Sequence, residues 1–439
     1  MSDVKRSLPA LLPAAPIKLP GEAERRLTNG LTVIAIRRPA VPLVEVRLRV
    51  PFARANLARG AMLSQTLFSG TAEMSTVDIA AELQAVGGGL AASVDPDRLM
   101  ISGNGLAAGL GRILEIMAEV VDGAAYPSDE VATERDRLVD NIQVAKSQPA
   151  HLAREALLQR VYGRHPYAVQ TPEPEQVRTV RPAQLRALHA ERVHPAGATL
   201  VLVGDFQVKR ALDTAEAVLG SWNGGGKDVT LPAAPAPAPG PVLVVDRPDS
   251  VQSSLRMALP AVPRTHPDHA ALQLANLVFG GYFSSRWVEN IREDKGYTYG
   301  PHSLVDHSVA GSVVLVSAEV ATEVTGPALL ETLYELGRLA TTPPGAEELE
   351  QARQYVLGTL KLGMSTQAGL ASLASTYAGA GLRLDFLKDY TAQLTAATRD
   401  DVAAAAAKYL APSGATTVIL GDAEKIEAPV ATLREVELG

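Results

Sequence analysis

The segment Pro195-Ala-Gly-Ala-Thr-Leu-Val-Leu-Val-Gly-Asp205 returns as Pro412-Ser-Gly-Ala-Thr-Thr-Val-Ile-Leu-Gly-Asp422, an offset of 217 residues. Each copy is a short apolar run held between turn residues, the pattern of a buried strand. RPAQLRALHAERVH (181–194) precedes the first copy and RDDVAAAAAKYLA (399–411) the second; both are rich in helix formers and similar in length. The repeat is therefore a helix–strand unit inside a larger duplication. A period of 217 residues is far too long for a solenoid, whose repeats run to ~20–50 residues.

Working outward, each half contains a strand followed by a long amphipathic helix. Leu99-Met-Ile-Ser102 precedes Leu106, Leu110, Ile113, Leu114 and Met117; Val313-Val-Leu-Val-Ser317 precedes Leu329, Leu330, Leu333 and Leu336. Each half also opens on strands. Val44, Val46, Leu48 and Val50 alternate with Glu45, Arg47 and Arg49, while Val242–Val245 and Ser253–Leu259 take that part in the second half. Glycine followed by alternating alanine and proline between the halves reads as an extended, semi-rigid linker. The expected organisation is a first domain over 1–223, a linker over 224–240 and a second domain over 241–439. The fold class is α+β: two homologous domains, each a mostly antiparallel sheet with helices on one face, facing each other across a cleft.

Composition narrows the chemistry. The 439 residues include no cysteine, which excludes disulfides, thiolate metal sites and a cysteine nucleophile. A net charge of −7 with acidic and basic residues interspersed offers no basic stripe for nucleic acid. Apolar runs fall short of the ~18 residues a membrane helix requires, so no membrane is expected as a partner. As the chain stands it reads as cytoplasmic, and as periplasmic if a leader has been removed.

Candidate sites are few. Gly87–Gly89 follows a helical stretch and reads as its termination, not as a phosphate loop. His266 and His269 flank Pro267, which marks the start of a solvated helix, and His302 and His307 have no partner at ligand spacing. The most informative stretch runs from Asn276 to Gly300. In it a helix stops at Gly280-Gly281, a serine-rich turn leads into a second helix to about Asp294, and Gly296 turns the chain into a strand. Arg292 and Tyr299 lie on the two elements that meet at Gly296. Their guanidinium fork and phenolic O–H could converge on one oxygen, or could equally be an arginine paired with Glu289 or Glu293 beside a half-buried tyrosine.

Gly280-Gly281-Tyr-Phe-Ser-Ser-Arg286 with Ile291-Arg292-Glu-Asp-Lys-Gly-Tyr-Thr-Tyr299 resembles the carboxy-terminal half of the pitrilysin-type zinc peptidases. That group includes the mitochondrial processing peptidase and bacterial two-domain relatives. Leu27-Thr-Asn-Gly-Leu-Thr-Val33 resembles the family's first strand, and the duplicated halves are its architecture. The resemblance implies that Arg292 and Tyr299 hold the scissile peptide and stabilise its transition state. By the same resemblance Gly280, Gly281, Phe283 and Ser284 contact substrate, and Leu90, Ala91, Ala92 and Ser93 form an edge strand that pairs with an extended peptide.

The family's zinc site is a His-x-x-Glu-His helix completed by a distal glutamate. Leu63, Leu67, Phe68, Gly70 and Thr71 match its apolar frame, but Ala61 and Gln65 stand in place of the histidines, Ser64 in place of the glutamate base and Asn141 near the distal ligand position, with Glu134 nearby. No cofactor is then expected on this chain. A catalytic zinc needs about three protein ligands and an open position. The implied role is the non-zinc subunit of a heterodimeric metalloendopeptidase, inactive alone. Its partner would be a homologous subunit that carries His-x-x-Glu-His and the zinc, and its substrates peptides. Two alternatives stay open: a catalytically inactive assembly or peptide-binding protein of the same fold, and a self-contained enzyme of different chemistry.

Overall fold

The computed structural model describes residues 18–224 and 229–439. The first half forms a six-stranded sheet from β1 (Glu22–Arg26), β2 (Thr32–Arg37), β3 (Leu43–Pro51), β4 (Gly89–Val94), β5 (Arg98–Leu106) and β6 (Thr199–Gly204). The second half repeats it with β7 (Val242–Asp246), β8 (Gln252–Pro260), β9 (His302–His307), β10 (Ser312–Ala321), β11 (Thr416–Gly421) and β12 (Val436–Leu438). Spatial orders are β1-β2-β6-β3-β5-β4 and β12-β7-β11-β8-β10-β9. The repeated sequence is thus β6 and β11, the third strand of each sheet. Both are inserted parallel to one neighbour and antiparallel to the other. The duplication breaks only at one edge: β12, from the end of the chain, takes the place of β1 and runs parallel to β7, whereas β1 is antiparallel to β2.

Local sequence accounts for the turns that join these strands. Gly30 adopts φ +94° between β1 and β2, a conformation that favours glycine, and Asn29 Nδ2 beside it donates to the carbonyls of Leu219 and Trp222 at 2.8 and 3.0 Å. Helix Thr76–Ala85 starts on a Ser75/Asp78 capping box and stops at Gly87 (φ +62°), whose N–H donates to Gln84 O. The Gly87–Gly89 cluster therefore ends a helix, as its sequence implies.

One face of each sheet takes its own half's helices. Val44, Val46, Leu48 and Val50 point into a core that includes Ile113, Leu114 and Met117 of helix Leu110–Gly123. The second faces do not meet water. Helix Gln367–Gly379 of the second half lies on β3 and β6, and helix Pro149–Tyr162 of the first half lies on β8 and β11. Ile34, Ile36, Val201 and Val203 consequently belong to the second half's core, and Val418 and Ala258 pack with Leu157, Leu158 and Tyr162.

This exchange explains the charged alternation in β3. Arg47 donates to Glu45 Oε2 at 2.8 Å and to the carbonyls of Val46 and Gly103, with both side chains largely buried. Arg256 in β8 repeats the arrangement, reaching Glu319 and the carbonyls of Leu255 and Ala318. What the pattern presents as a solvent face is the junction between halves, and the part the exchanged helices leave open is a cleft of about 490 Å³.

The described linker residues, 229–240, form no helix or strand but are tied to both halves. Pro232 O bonds His165 Nε2 at 3.0 Å, Ala234 N donates to Ala310 O at 2.8 Å, and Ala238 exchanges two bonds with Thr416 Oγ1. Leu231 and Ala234 also pack on an apolar cluster shared by the halves. The extended linker is thus fastened along its described length, alanine and proline fitting closely against the surface they cross. Residues 225–228 of the expected linker lie outside the described residues.

Candidate active site

The Arg292 element is built on a buried aromatic anchor. Trp287 is fully buried, stacks on Phe279 with centroids 5.2 Å apart, and donates its indole N–H to Thr332 Oγ1 at 3.0 Å. Gly280 makes that packing possible, since a Cβ there would lie 2.8 Å from the Trp287 ring and 2.9 Å from Ser303 Oγ. Gly280 is itself buried and holds the turn, whereas the expected substrate contact is a matter for Gly281, Phe283 and Ser284 at its surface. Gly281 is half-buried against Asn276 and Leu277. Phe283 and Ser284 are exposed.

Arg286 closes the turn with a bidentate pair to Glu348, at 2.6 and 2.8 Å. Such a fork on a carboxylate fixes geometry as well as charge. No local sequence signal indicates this support, because Glu348 lies 62 residues away.

From there Glu289–Asp294 forms a wide π-type turn and Gly296 (φ +65°) reverses the chain. Tyr297 N donates to Ile291 O, and Thr298 Oγ1 donates to Glu319 O at 2.6 Å, tying the segment to β10. Arg292 and Tyr299 are brought together by this reversal. The Arg292 guanidinium carbon lies 4.5 Å from the Phe283 ring centroid and 5.0 Å from that of Tyr299, a cation flanked by two π faces. Its Nε also lies 3.2 Å from Glu293 Oε1. Tyr299 is 86% exposed, so the expected ion pair is present but the half-buried tyrosine is not. The stack borders a hollow of about 790 Å³ whose lining, Gln252, Tyr297 and Glu319 among it, comes wholly from the second half.

The degenerate zinc motif lies on helix Leu57–Thr66, N-capped by Asn56. Ala61 is half-buried, Ser64 is buried with its hydroxyl donating to Ala61 O at 2.9 Å, and Gln65 is exposed. Asn141 is exposed on helix Ser128–Ser147, and Glu134 pairs with Arg137 at 2.7 Å. A methyl group, a hydroxyl satisfied by its own helix and two carboxamides do not fit a catalytic zinc, which takes imidazole, thiolate or carboxylate ligands. Among the described residues no cluster of three histidine, aspartate or glutamate side chains could hold a metal. The hollow beside this helix, about 1050 Å³, is lined by Phe52, Leu57, Gly60 and Val94 with linker prolines, all from the first half and the linker. The two site regions therefore open onto different hollows and share no lining residue.

Leu90, Ala91, Ala92 and Ser93 lie on β4, which among the described residues pairs only with β5 and is a sheet edge. Leu90 and Ala92 rest on the core, and Ala91 and Ser93 are exposed. The histidines differ from expectation. His269 is 1% exposed, stacked on Tyr390 and edge-on to His307, not the solvated helix start that Pro267 suggests. His302 is exposed at the start of β9.

Residues 61–175 match the sequence profile described as insulinase (peptidase family M16), and residues 179–356 match that described as the peptidase M16 inactive domain. Together they span about two thirds of the chain. The chain belongs to the M16 peptidase family. Among M16 relatives, an uncharacterized zinc protease of Mycobacterium tuberculosis is 25% identical over 378 residues, covering 83% of this chain and 85% of the relative. A probable inactive metalloprotease of Bacillus subtilis is 23% identical over 309 residues, covering 67% and 70%. A peptidase M16 inactive domain from Pseudomonas fluorescens superposes with TM-score 0.83 at 24% identity, over 91% of this chain and 98% of that one. A Helicobacter pylori protease gives 0.84 at 19% identity, over 92% and 100%. These superpositions show the two-domain M16 fold. No helix among the described residues is long and apolar enough to cross a membrane.

Proposed function

We propose that this M16 chain is the non-zinc subunit of a heterodimeric metallopeptidase and supplies Arg292 and Tyr299 to a peptide bound at a partner's zinc. One observation carries the reading: a half-buried Arg292 beside an exposed Tyr299, preorganised by Phe283 and a buried tryptophan turn, borders a hollow with no residue of its own first half. Donors held in place before charge develops act on an oxyanion without a reorganisation cost. The partner would be a homologous chain with intact His-x-x-Glu-His, and the isolated subunit would hold no stoichiometric zinc. The exposed edge of β4 remains the candidate docking line for an extended peptide, through Ala91 and Ser93.

Reconstitution with an M16 chain carrying the intact motif tests this. Neither subunit alone should cleave a peptide library, while the mixture should. Tyr299→Phe keeps the ring beside Arg292 and should lower kcat about 10²-fold, the scale for one lost oxyanion donor. Arg292→Lys should also impair turnover, because an ammonium cannot reproduce the planar fork. Both variants should still assemble. Full activity of a Tyr299→Phe, Arg292→Ala double variant would leave the chain as a structural companion, as would cleavage by the partner alone at the full rate.

A further inference from the structure

We propose that the cleft between the two halves binds a small molecule bearing an oxyanion, a carboxylate or a phosphate, through Arg49 of the first half and Arg264 of the second. The cleft holds about 490 Å³, within the ~300–1,000 Å³ of small-molecule sites, which favour domain junctions. Four guanidiniums (Arg49, Arg98, Arg154, Arg264) line it against three carboxylates (Asp95, Asp97, Asp306).

Internal pairing uses most of these charges, though not evenly. Asp95 pairs with Arg98 at 2.9 Å. Asp97 accepts from Tyr167 Oη at 2.5 Å and from Val309 N at 3.1 Å. Arg154 donates to Gln170 at 2.8 Å. Among the described residues the Arg49 and Arg264 side chains make no hydrogen bond or ion pair; Arg49 Nε is buried without a partner, and Arg264 lies over the Tyr377 ring at 5.8 Å. Burial lowers the pKa of both. Asp306 accepts from the His307 backbone N–H and faces Arg154 and Arg264 across the cleft wall.

Two half-desolvated guanidiniums from opposite halves, each without an acceptor, are costly unless something accepts from them. The planar forks suit carboxylate or phosphate oxygens. His307 adds a third donor at the same wall. Its Nδ1 lies 2.8 Å from Ser312 Oγ, its Nε2 is buried without a partner, and burial beside Arg264 pushes its pKa down to about 3, so the ring is neutral at neutral pH. With Ser312 donating to Nδ1, Nε2–H is free to donate. A ligand held by both arginines would bridge the halves and stabilise their docking. The inference is independent of the peptidase reading, since neither Arg292 nor Tyr299 borders this cleft.

Thermal unfolding and titration calorimetry of the full chain test it, with inorganic phosphate or succinate added at constant ionic strength in chloride. A saturable rise in Tm with phosphate identifies a phosphate-type ligand, and a rise with succinate a carboxylate-type one; either supports the site. Arg264→Gln and Arg49→Gln should each weaken binding at least tenfold and leave Tm in chloride unchanged or higher, because no ion pair is lost. The variants lie in different halves, so one that fails to fold by circular dichroism leaves the other to decide. No rise with either anion would overturn the proposal. So would an equal rise in wild type and variants, the mark of general salt stabilisation.

Discussion

Arg292 illustrates how much one position depends on its neighbours. Seven residues separate it from Tyr299, and that spacing alone allows a surface ion pair as readily as a donor site. The structure shows the ion pair with Glu293 and, beside it, a second ring within reach of the guanidinium, that of Phe283 nine residues upstream. In the reconstituted enzyme Phe283→Ala should therefore lower activity less than Tyr299→Phe and leave stability within about 0.5 kcal/mol, since the ring is exposed. Gly280→Ala should do the opposite. A methyl at 2.8 Å from Trp287 overpacks a buried turn, a change of about 1–3 kcal/mol. Chemical denaturation of the two variants separates contact with substrate from support of the turn. Equal stability of Gly280→Ala and wild type would remove the packing role assigned to that glycine.

At the scale of elements, β3 and β8 are legible as strands, but their second faces are not. Alternating charge in Val44–Val50 is the pattern of a half-exposed strand, and only the helix from the opposite half reveals Glu45 and Arg47 as a buried pair. The His269–His307 pair was hidden for the same reason. Pro267 announces a helix start, whereas burial depends on helix Phe386–Ala396 placing Tyr390 over the imidazole, more than a hundred residues later. Burial and the charge of Arg264 hold the two histidines at pKa values of about 4 and about 3, below the ordinary 6.5.

The unfolded chain takes up protons at these rings below pH 6.5 and the folded chain does not until about pH 4, so the unfolded state binds more protons in between. Their contribution to stability is complete above pH 6.5 and is lost progressively as pH falls toward 4. His269→Phe keeps a ring over Tyr390 but removes one titration. Its urea midpoint should fall less steeply than that of wild type between pH 7 and 5, and parallel curves would exclude the histidine as the cause.

On the scale of the whole molecule, the halves are exchanged as well as duplicated. Each sheet is completed by a helix from the other half, and residues 229–240 are fastened to both. Proteolysis within 229–240 should therefore be slow, and a nicked chain should elute as one species at neutral pH, its two pieces parting only in denaturant. Separation of the pieces in native buffer would mean that the exchanged helices add little to docking. Arg292 and Tyr299 border a second-half hollow that shares no lining residue with the hollow beside the first-half helix.

The sequence by itself determined the duplication, the strand and helix types and the family resemblance, because these rest on local periodicity and on short words such as Gly-Ala-Thr-Leu-Val-Leu-Val-Gly-Asp205. It also determined that Ala61, Ser64, Gln65 and Asn141 offer no imidazole or carboxylate where the resemblance puts the zinc ligands and base, since ligand identity is a property of side chains and needs no coordinates. Only the tertiary structure decided which polar residues are buried, that Gly280 serves packing, that Phe283 and Glu348 support the Arg292 turn, and that Arg49 and Arg264 line one cleft. Those outcomes depend on contacts between residues tens to hundreds of positions apart, and burial by a distant element leaves no trace in the local alternation of apolar and charged side chains.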